Sequence, residues 1–175
     1  MSASGPPVPS HQAPELRRRW DEDALRRVFA AFPTGVTAVC ALVNGEPVGL
    51  TANSFTAVSL EPALVSVCVR QESATWRRLR GATQIGVSVL SEAHAQQARQ
   101  LAGPEPERFA GVDWYSDDDG AVTLGGAAAL LTCRAYAAMP AGDHFIVLLE
   151  VLGGSASEDG RPLLFHNSRF RQLEC

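Results

Sequence analysis

Residues 36–51 read VTAVCALVNGEPVGLT. The first eight form an apolar, β-rich run, and Asn44-Gly45 behind them best tolerates the left-handed backbone of a two-residue hairpin turn. Residues 48–51 then pair back, so a strand hairpin opens the main fold. Outward from it, residues 63–69 after Pro62 and residues 85–90 read as further buried strands. Residues 127–137 and 145–152 are long ones, separated by the turn formers Pro140, Ala141, Gly142 and Asp143, and residues 163–165 are a short last one. Connections of hairpin length, without regular strand–helix–strand alternation, favour an antiparallel barrel over a parallel doubly wound sheet. The fold class is mainly β, with a few flanking helices.

Three helices attach to this frame. Asp21 opens the first: Glu22 and Asp23 complement its positive end, and Leu25, Val28, Phe29 and Phe32 recur at helical spacing before Pro33. That apolar stripe is expected to lie on a sheet. Ser73 caps a short helix carrying Trp76 and Leu79, and Ser91 caps another over residues 92–101, ahead of Gly103-Pro104. Residues 1–19, rich in Pro and Ser and ending in Arg17, Arg18 and Arg19, offer little apolar surface against the entropy of ordering and are expected to be a flexible arm. Residues 20–175 form one domain.

Composition excludes several functions. At 175 residues, 46% hydrophobic and 19% charged, the chain suits one packed core. A net charge of -4 lacks the basic excess of a phosphate-tracking surface, so nucleic acid is not an expected partner. No apolar run approaches the roughly 20 residues that cross a bilayer, and no greasy leader opens the chain, so a soluble cytoplasmic protein is expected. All 15 basic residues are arginine, which removes lysine Schiff bases and phosphate-loop lysines. Cys40, Cys68, Cys133 and Cys175 are scattered, mostly in apolar runs, and give no basis for a disulfide or a zinc site. Asp117-Asp118-Asp119-Gly120 reads as a loop tip.

Three stretches carry candidate chemistry. Thr51, Ala52, Asn53, Ser54 and Thr56 close a strand with donors and acceptors of little bulk, suited to the edge of a planar heteroaromatic ring, or to a polar turn satisfying itself. Ser73 and Thr75 stand at a helix start, where either an anion or an ordinary cap fits, and Arg77, Arg78 and Arg80 follow as phosphate cations or a solvated face. Gly142-Asp143-His144 is a tight turn delivering a histidine to a strand start. His166, beside Arg169, is the other candidate histidine, whereas His11 and His94 are expected in solvent. No G-x-S-x-G, H-E-x-x-H, Walker or G-x-G-x-x-G motif is present.

In order and spacing, residues 32–36 (FPTGV), 49–55 (GLTANSF), 59–64 (SLEPAL) and 142–144 (GDH) together resemble the short-chain flavin reductase family, as do Phe109-Ala110-Gly111 and residues 162–165 (PLLF). The resemblance covers residues 20–173 and is closest to reductase components of two-component flavin monooxygenases. It implies an FMN-binding type of split β-barrel, usually a homodimer, in which NADH or NADPH reduces FMN or FAD and the reduced flavin leaves for a partner monooxygenase. It further implies that Thr51, Ala52, Asn53 and Ser54 line the isoalloxazine edge, that Ser73 and Thr75 meet phosphate, and that His144 orients nicotinamide and flavin. Phe165 and Phe170 wall the ring or pack the dimer, with core packing the first expectation for Phe165. A metal is not implied. The rival readings are a non-catalytic flavin carrier, and a barrel that retains its flavin and acts on an organic substrate. With lysine absent, arginine or backbone groups must meet the phosphate charge.

Overall fold

The computed structural model describes residue 19 and residues 21–173. The expected arm therefore lies outside the described residues except for Arg19, as do His11 and Cys175.

The opening hairpin forms as the turn chemistry demands. Strand β2 (Thr37–Val43) pairs antiparallel with β3 (Glu46–Ala52), after a two-residue strand β1 (Thr34–Gly35). Asn44 and Gly45 between them have φ of 55° and 81°, the left-handed pair of a type I′ turn. The uninterrupted apolar character of β2 has a plain cause: both of its faces are covered. Val39 and Ala41 enter one core, with Val67, Val87, Leu149, Trp76 and Leu79, while Ala38 and Cys40 enter a second with Leu90, Leu101, Val122, Leu124 and Leu163.

The main sheet is seven-stranded, in the order β3-β2-β6-β9-β10-β5-β4, with every neighbour antiparallel. Its remaining strands are β4 (Thr56–Leu60), β5 (Ala63–Arg70), β6 (Ile85–Val89), β9 (Ala129–Ala141) and β10 (His144–Ala156). The sheet curls until β3 approaches β5, yet no ladder joins them. A side chain bridges the gap instead: the Ser54 hydroxyl accepts the N–H of Cys68 at 2.8 Å and donates to its carbonyl at 3.3 Å. The barrel is thus split, and Ser54 stitches the split.

Several boundaries differ from the sequence reading. Pro140 and Ala141 extend β9 rather than turning, opposite Phe145 and His144, and the turn contracts to Gly142-Asp143 with Gly142 at φ 63°. Proline is tolerated there because β9 beyond Cys133 has a neighbour on one side only. β4 escaped the pattern because it is an edge strand, exposed at most positions, and shows no alternation. Three-residue strands were also unmarked: β7 (Trp114–Ser116) and β8 (Val122–Leu124) form a hairpin, and β12 (Arg169–Arg171) pairs with β11 (Leu164–His166), which pairs with β1. At the β7–β8 tip the Asp117 carboxylate accepts N–H groups from Asp119 and Ala121.

Helix α1 (Glu22–Ala30) begins where expected, the Asp21 carboxylate accepting the Ala24 N–H at 2.6 Å. It does not bury the expected stripe. Ala24 is buried and Leu25 half-buried, but Val28, Phe29 and Phe32 stand 51%, 66% and 73% exposed. The helix is tied at its end by Asn167, whose N–H donates to the Ala30 carbonyl at 2.9 Å. Helix α2 (Ala74–Leu79) buries Trp76 and Leu79 as expected, and the last helix is a 3-10 turn over Glu92–His94 running into α3 (Ala95–Leu101).

His94, expected in solvent, is buried. Its Nδ1 accepts the Ser91 N–H at 3.2 Å and pairs with the Ser91 hydroxyl at 2.7 Å, which leaves Nε2–H to donate to the Gly125 carbonyl at 2.9 Å. A ring with both nitrogens hydrogen-bonded can be buried, and here it braces α3 against the end of β8. Cys40 and Cys133 are buried, and burial pushes each thiol up to about 12. Cys68 departs from that expectation: it alternates outward from Val67 and Val69 and is exposed. Among the described residues no helix is long and apolar enough to cross a membrane.

Candidate functional site

The end of β3 stands at the centre of a cleft. Two adjoining cavities of about 600 and 630 Å³ share Thr51, Ala52, Asn53 and Ala102, so they are halves of one groove with these residues at its waist. Thr37 fixes the strand end by donating its hydroxyl to the Ala52 carbonyl at 3.0 Å. Asn53 follows, exposed, its amide without a hydrogen-bond partner among the described residues. Small side chains here leave the backbone open to a flat molecule, which bulky ones would cover.

One half of the groove is largely apolar. Phe165 on β11 and Phe170 on β12 meet edge to face, centroids 5.5 Å apart, and the Arg99 guanidinium of α3 lies 4.8 Å from the Phe170 centroid. Both rings also pack against the second core, so they serve as wall and core together.

The other half is polar. Ser54, Cys68, Ser73, Thr75 and His144 line it, with Arg70 and Arg108. Ser73 accepts the Trp76 N–H at 3.1 Å and so is a true helix cap, while buried Thr75 accepts a hydrogen bond from Arg108 at 2.7 Å. His144 enters from the β9–β10 turn, its Cα paired with that of Arg70. Its Nδ1 lies 2.8 Å from an Asp143 carboxylate oxygen, and this hydrogen bond from the imidazole holds the fully exposed Asp143 carboxyl below the usual carboxylate range. An ionised Asp143 can only accept, so Nδ1 carries hydrogen and Nε2 is the nitrogen left for other partners.

Thr51, Ala52, Asn53, Ser54, Ser73, Thr75, His144, Phe165 and Phe170 thus line this one groove, whereas Thr56 opens the edge strand β4 and lines neither half. Nor does His166: half-buried in β11, it is in the lining of neither half. Arg77 and Arg80 point to solvent on α2, as a charged helix face would. Arg70, Arg99, Arg108 and Arg169 were not assigned to the site, because a single arginine at a strand end, in a short turn or on an exposed helix face has no periodicity that marks it. The pointers were sequence neighbours: Arg70 leads into Ser73-Ala74-Thr75, Arg108 stands beside Phe109-Ala110-Gly111, and Arg169 lies beside His166.

Residues 29–174 match the family described as flavin reductase like domain. Among curated proteins, an NADH-dependent FAD reductase of Streptomyces globisporus is 40% identical over 158 residues, covering 87% of this chain and 86% of that one. The reductase subunit HsaB of a flavin-dependent monooxygenase of Mycobacterium tuberculosis is 32% identical over 156 residues, covering 88% and 83%. Among solved structures, an NADH:FAD oxidoreductase of Streptomyces globisporus in complex with NAD and FAD fragments superposes with a TM-score of 0.85 at 40% identity, covering 92% of this chain and 98% of that one. The flavin reductase component of a bacterial two-component tryptophan halogenase gives 0.80 at 34% identity, covering 87% and 98%. With the family matched over most of its length and the same barrel in its relatives, the chain belongs to the flavin reductase like domain family.

Proposed function

We propose that this chain is an NADH:flavin oxidoreductase, active on FAD or FMN, that hands diffusible reduced flavin to a partner monooxygenase. The observation that carries the reading is the groove itself, where small polar residues at the end of β3 stand between an aromatic wall and a polar end with arginines. Those residues fit a flavin: a flat ring against Thr51, Ala52, Asn53 and Ser54, an aromatic wall at Phe165 and Phe170, and Ser73 and Thr75 toward a phosphate. Bound flavin supplies the ring that accepts hydride from the nicotinamide. The chain supplies placement. Asn53 offers an unpaired amide at the ring edge, and Asp143 holds the His144 imidazole in one tautomer and orientation. Because the Asp143 carboxyl is held low, that pairing persists through neutral pH and is lost only as pH falls through the lowered value.

Release of the product is supported by exposure at the waist and rim: Asn53, Arg99, Ala102, Ser168 and Arg169 are all solvent-exposed. NADH consumption with added FMN, FAD or riboflavin, followed by nicotinamide absorbance in air, tests the function. Flavin-dependent turnover is expected; flavin binding without turnover would turn the reading to a carrier or a retained-flavin enzyme. Under the same assay His144→Ala should lower kcat about tenfold, as the loss of one orienting contact would, with flavin affinity little altered. Unchanged kinetics would remove His144 from the machinery.

The chain works as a cytoplasmic homodimer on this reading. Val28, Phe29 and Phe32 on and beside α1, with Leu60 96% exposed at the end of β4, form apolar surface that a monomer leaves in water. Cys68 gives a chemical probe of the groove. It is the exposed thiol among the described residues, so iodoacetamide should alkylate it ahead of Cys40 and Cys133, and saturating FMN should slow that alkylation severalfold. Alkylation at an undiminished rate in FMN would place the flavin elsewhere.

A further inference from the structure

The turn that delivers His144 is held from outside the groove. Gly142 and Asp143 stand past the last pair of the β5–β10 ladder, His144 with Arg70, and nothing lies within 4 Å of a Cβ added at Gly142. At that point the turn faces open space. What reaches it is Gln71, the residue that follows β5, which meets three consecutive carbonyls of the turn. Its backbone N–H donates to the Asp143 carbonyl at 3.0 Å, and its side-chain Nε2 donates to the Gly142 carbonyl at 3.0 Å and to the His144 carbonyl at 3.3 Å.

The residue type suits the task. A carboxamide carries two N–H donors on one nitrogen, and both are used here; the flipped amide would set oxygen against two carbonyl oxygens. An ionised glutamate has no hydrogen to donate, and asparagine is one methylene shorter. Gln71 lines neither half of the groove, whereas His144 does. It touches the main chain of the turn, and so reaches the site only through what the turn carries. That is the contact at 2.8 Å between the Asp143 carboxylate and His144 Nδ1. Side chains of consecutive residues in extended backbone point to opposite faces, so residues 143 and 144 meet only because the chain bends between them. Their side chains are 86% and 36% exposed, so burial does little to confine their rotamers, and the bend that Gln71 pins is what keeps them together.

We infer that Gln71 is a positioning residue for His144: by holding carbonyls 142, 143 and 144 it fixes the turn in the geometry that keeps the imidazole on Asp143 and leaves Nε2 free. The inference rests on the flavin-reductase reading above, which gives His144 its role.

Gln71→Met keeps the side-chain length and removes both of its donors, while the backbone N–H still serves Asp143. The first readout is nitrogen NMR of the flavin-free protein carrying isotope-labelled histidine, at about pH 8, where an ordinary imidazole is neutral. His144, identified by its loss in His144→Ala, should show the tautomer with hydrogen on Nδ1, and Gln71→Met should move its two signals toward the average of both tautomers. The second readout is NADH oxidation with added FMN. Gln71→Met should lower kcat about threefold to tenfold, the range for one or two solvent-facing hydrogen bonds, with flavin affinity within about twofold and Tm little changed. Gln71→Asn, with the same donors on a shorter arm, should recover part of the loss. Added to His144→Ala, Gln71→Met should lower kcat no further, because no imidazole is left to place. A His144 signature that Gln71→Met leaves unmoved, or a loss of kcat that adds in full to that of His144→Ala, would overturn the assignment. So would a loss matched by weaker flavin binding and a lower Tm, which would leave Gln71 a support of the fold alone. Flavin binding by the unaltered protein without NADH oxidation would overturn the functional reading instead, and the tautomer comparison would still decide whether Gln71 sets the imidazole.

Discussion

Gly86→Ala is expected to cost about 3 kcal/mol or more of stability, an overpacking penalty taken at the top of its usual range. Gly86 lies in β6, buried between β2 and β9, and the backbone of β8 crosses directly over it. A Cβ there would stand 2.0 Å from the carbonyl oxygen of Val122, 2.5 Å from its carbonyl carbon and 2.9 Å from its nitrogen. All three are main-chain atoms. No rotamer change relieves the clash, so β8 must move, and β8 carries Val122 and Leu124 into the second core. For a chain of this size the penalty corresponds to a fall in Tm of about 6–12 °C. Gly81→Ala is the control: nothing lies within 4 Å of its added Cβ, and a change within about 0.5 kcal/mol is expected. Thermal denaturation of both variants decides the matter. If Gly86→Ala melts with the unaltered protein, β8 does not cross β6 as closely as described.

The second large effect is steric and leaves the core alone. Ala102 caps the end of α3 with φ -81° and ψ -11°, a conformation open to any L-residue, and its side chain is exposed while lining both halves of the groove. Ala102→Trp should fill the waist and weaken flavin binding by about a hundredfold, about 2.8 kcal/mol at 1.4 kcal/mol per tenfold. Tm should change little, since the substitution touches solvent and the groove only. Fluorescence titration beside a melting curve separates the two quantities. Undiminished flavin affinity in a folded Ala102→Trp would move the flavin out of this groove.

Much of the architecture was legible because local chemistry encodes it. The type I′ turn at Asn44-Gly45, the caps at Asp21 and Ser73, and the doubly buried run of β2 each need only their own neighbours and a solvent preference. The groove was legible in outline for the same reason, since the small polar residues 51–54 break a pattern that packing alone would have filled with bulk. The edge strand β4 stayed hidden because a strand exposed on both faces has no alternation to display, and the three-residue strands because three positions are too few to show a period. The apolar stripe of α1 was legible as a stripe; what it faces was not.

What the sequence by itself determined was the longer strands of the core, though not β8, together with the opening hairpin turn and the residues at the waist of the groove. What only the tertiary structure decided was how polar groups found each other across the chain. Arg108 reaches Thr75 across 33 positions and Gly49 across 59, Ser54 closes the barrel on Cys68, and His94 is buried because the Gly125 carbonyl, 31 positions away, accepts the hydrogen bond from its Nε2–H. The physical reason is common to all of them. Backbone preference and hydrophobic period are local, whereas the partner of a polar side chain depends on which distant loop the closed barrel brings within 3 Å.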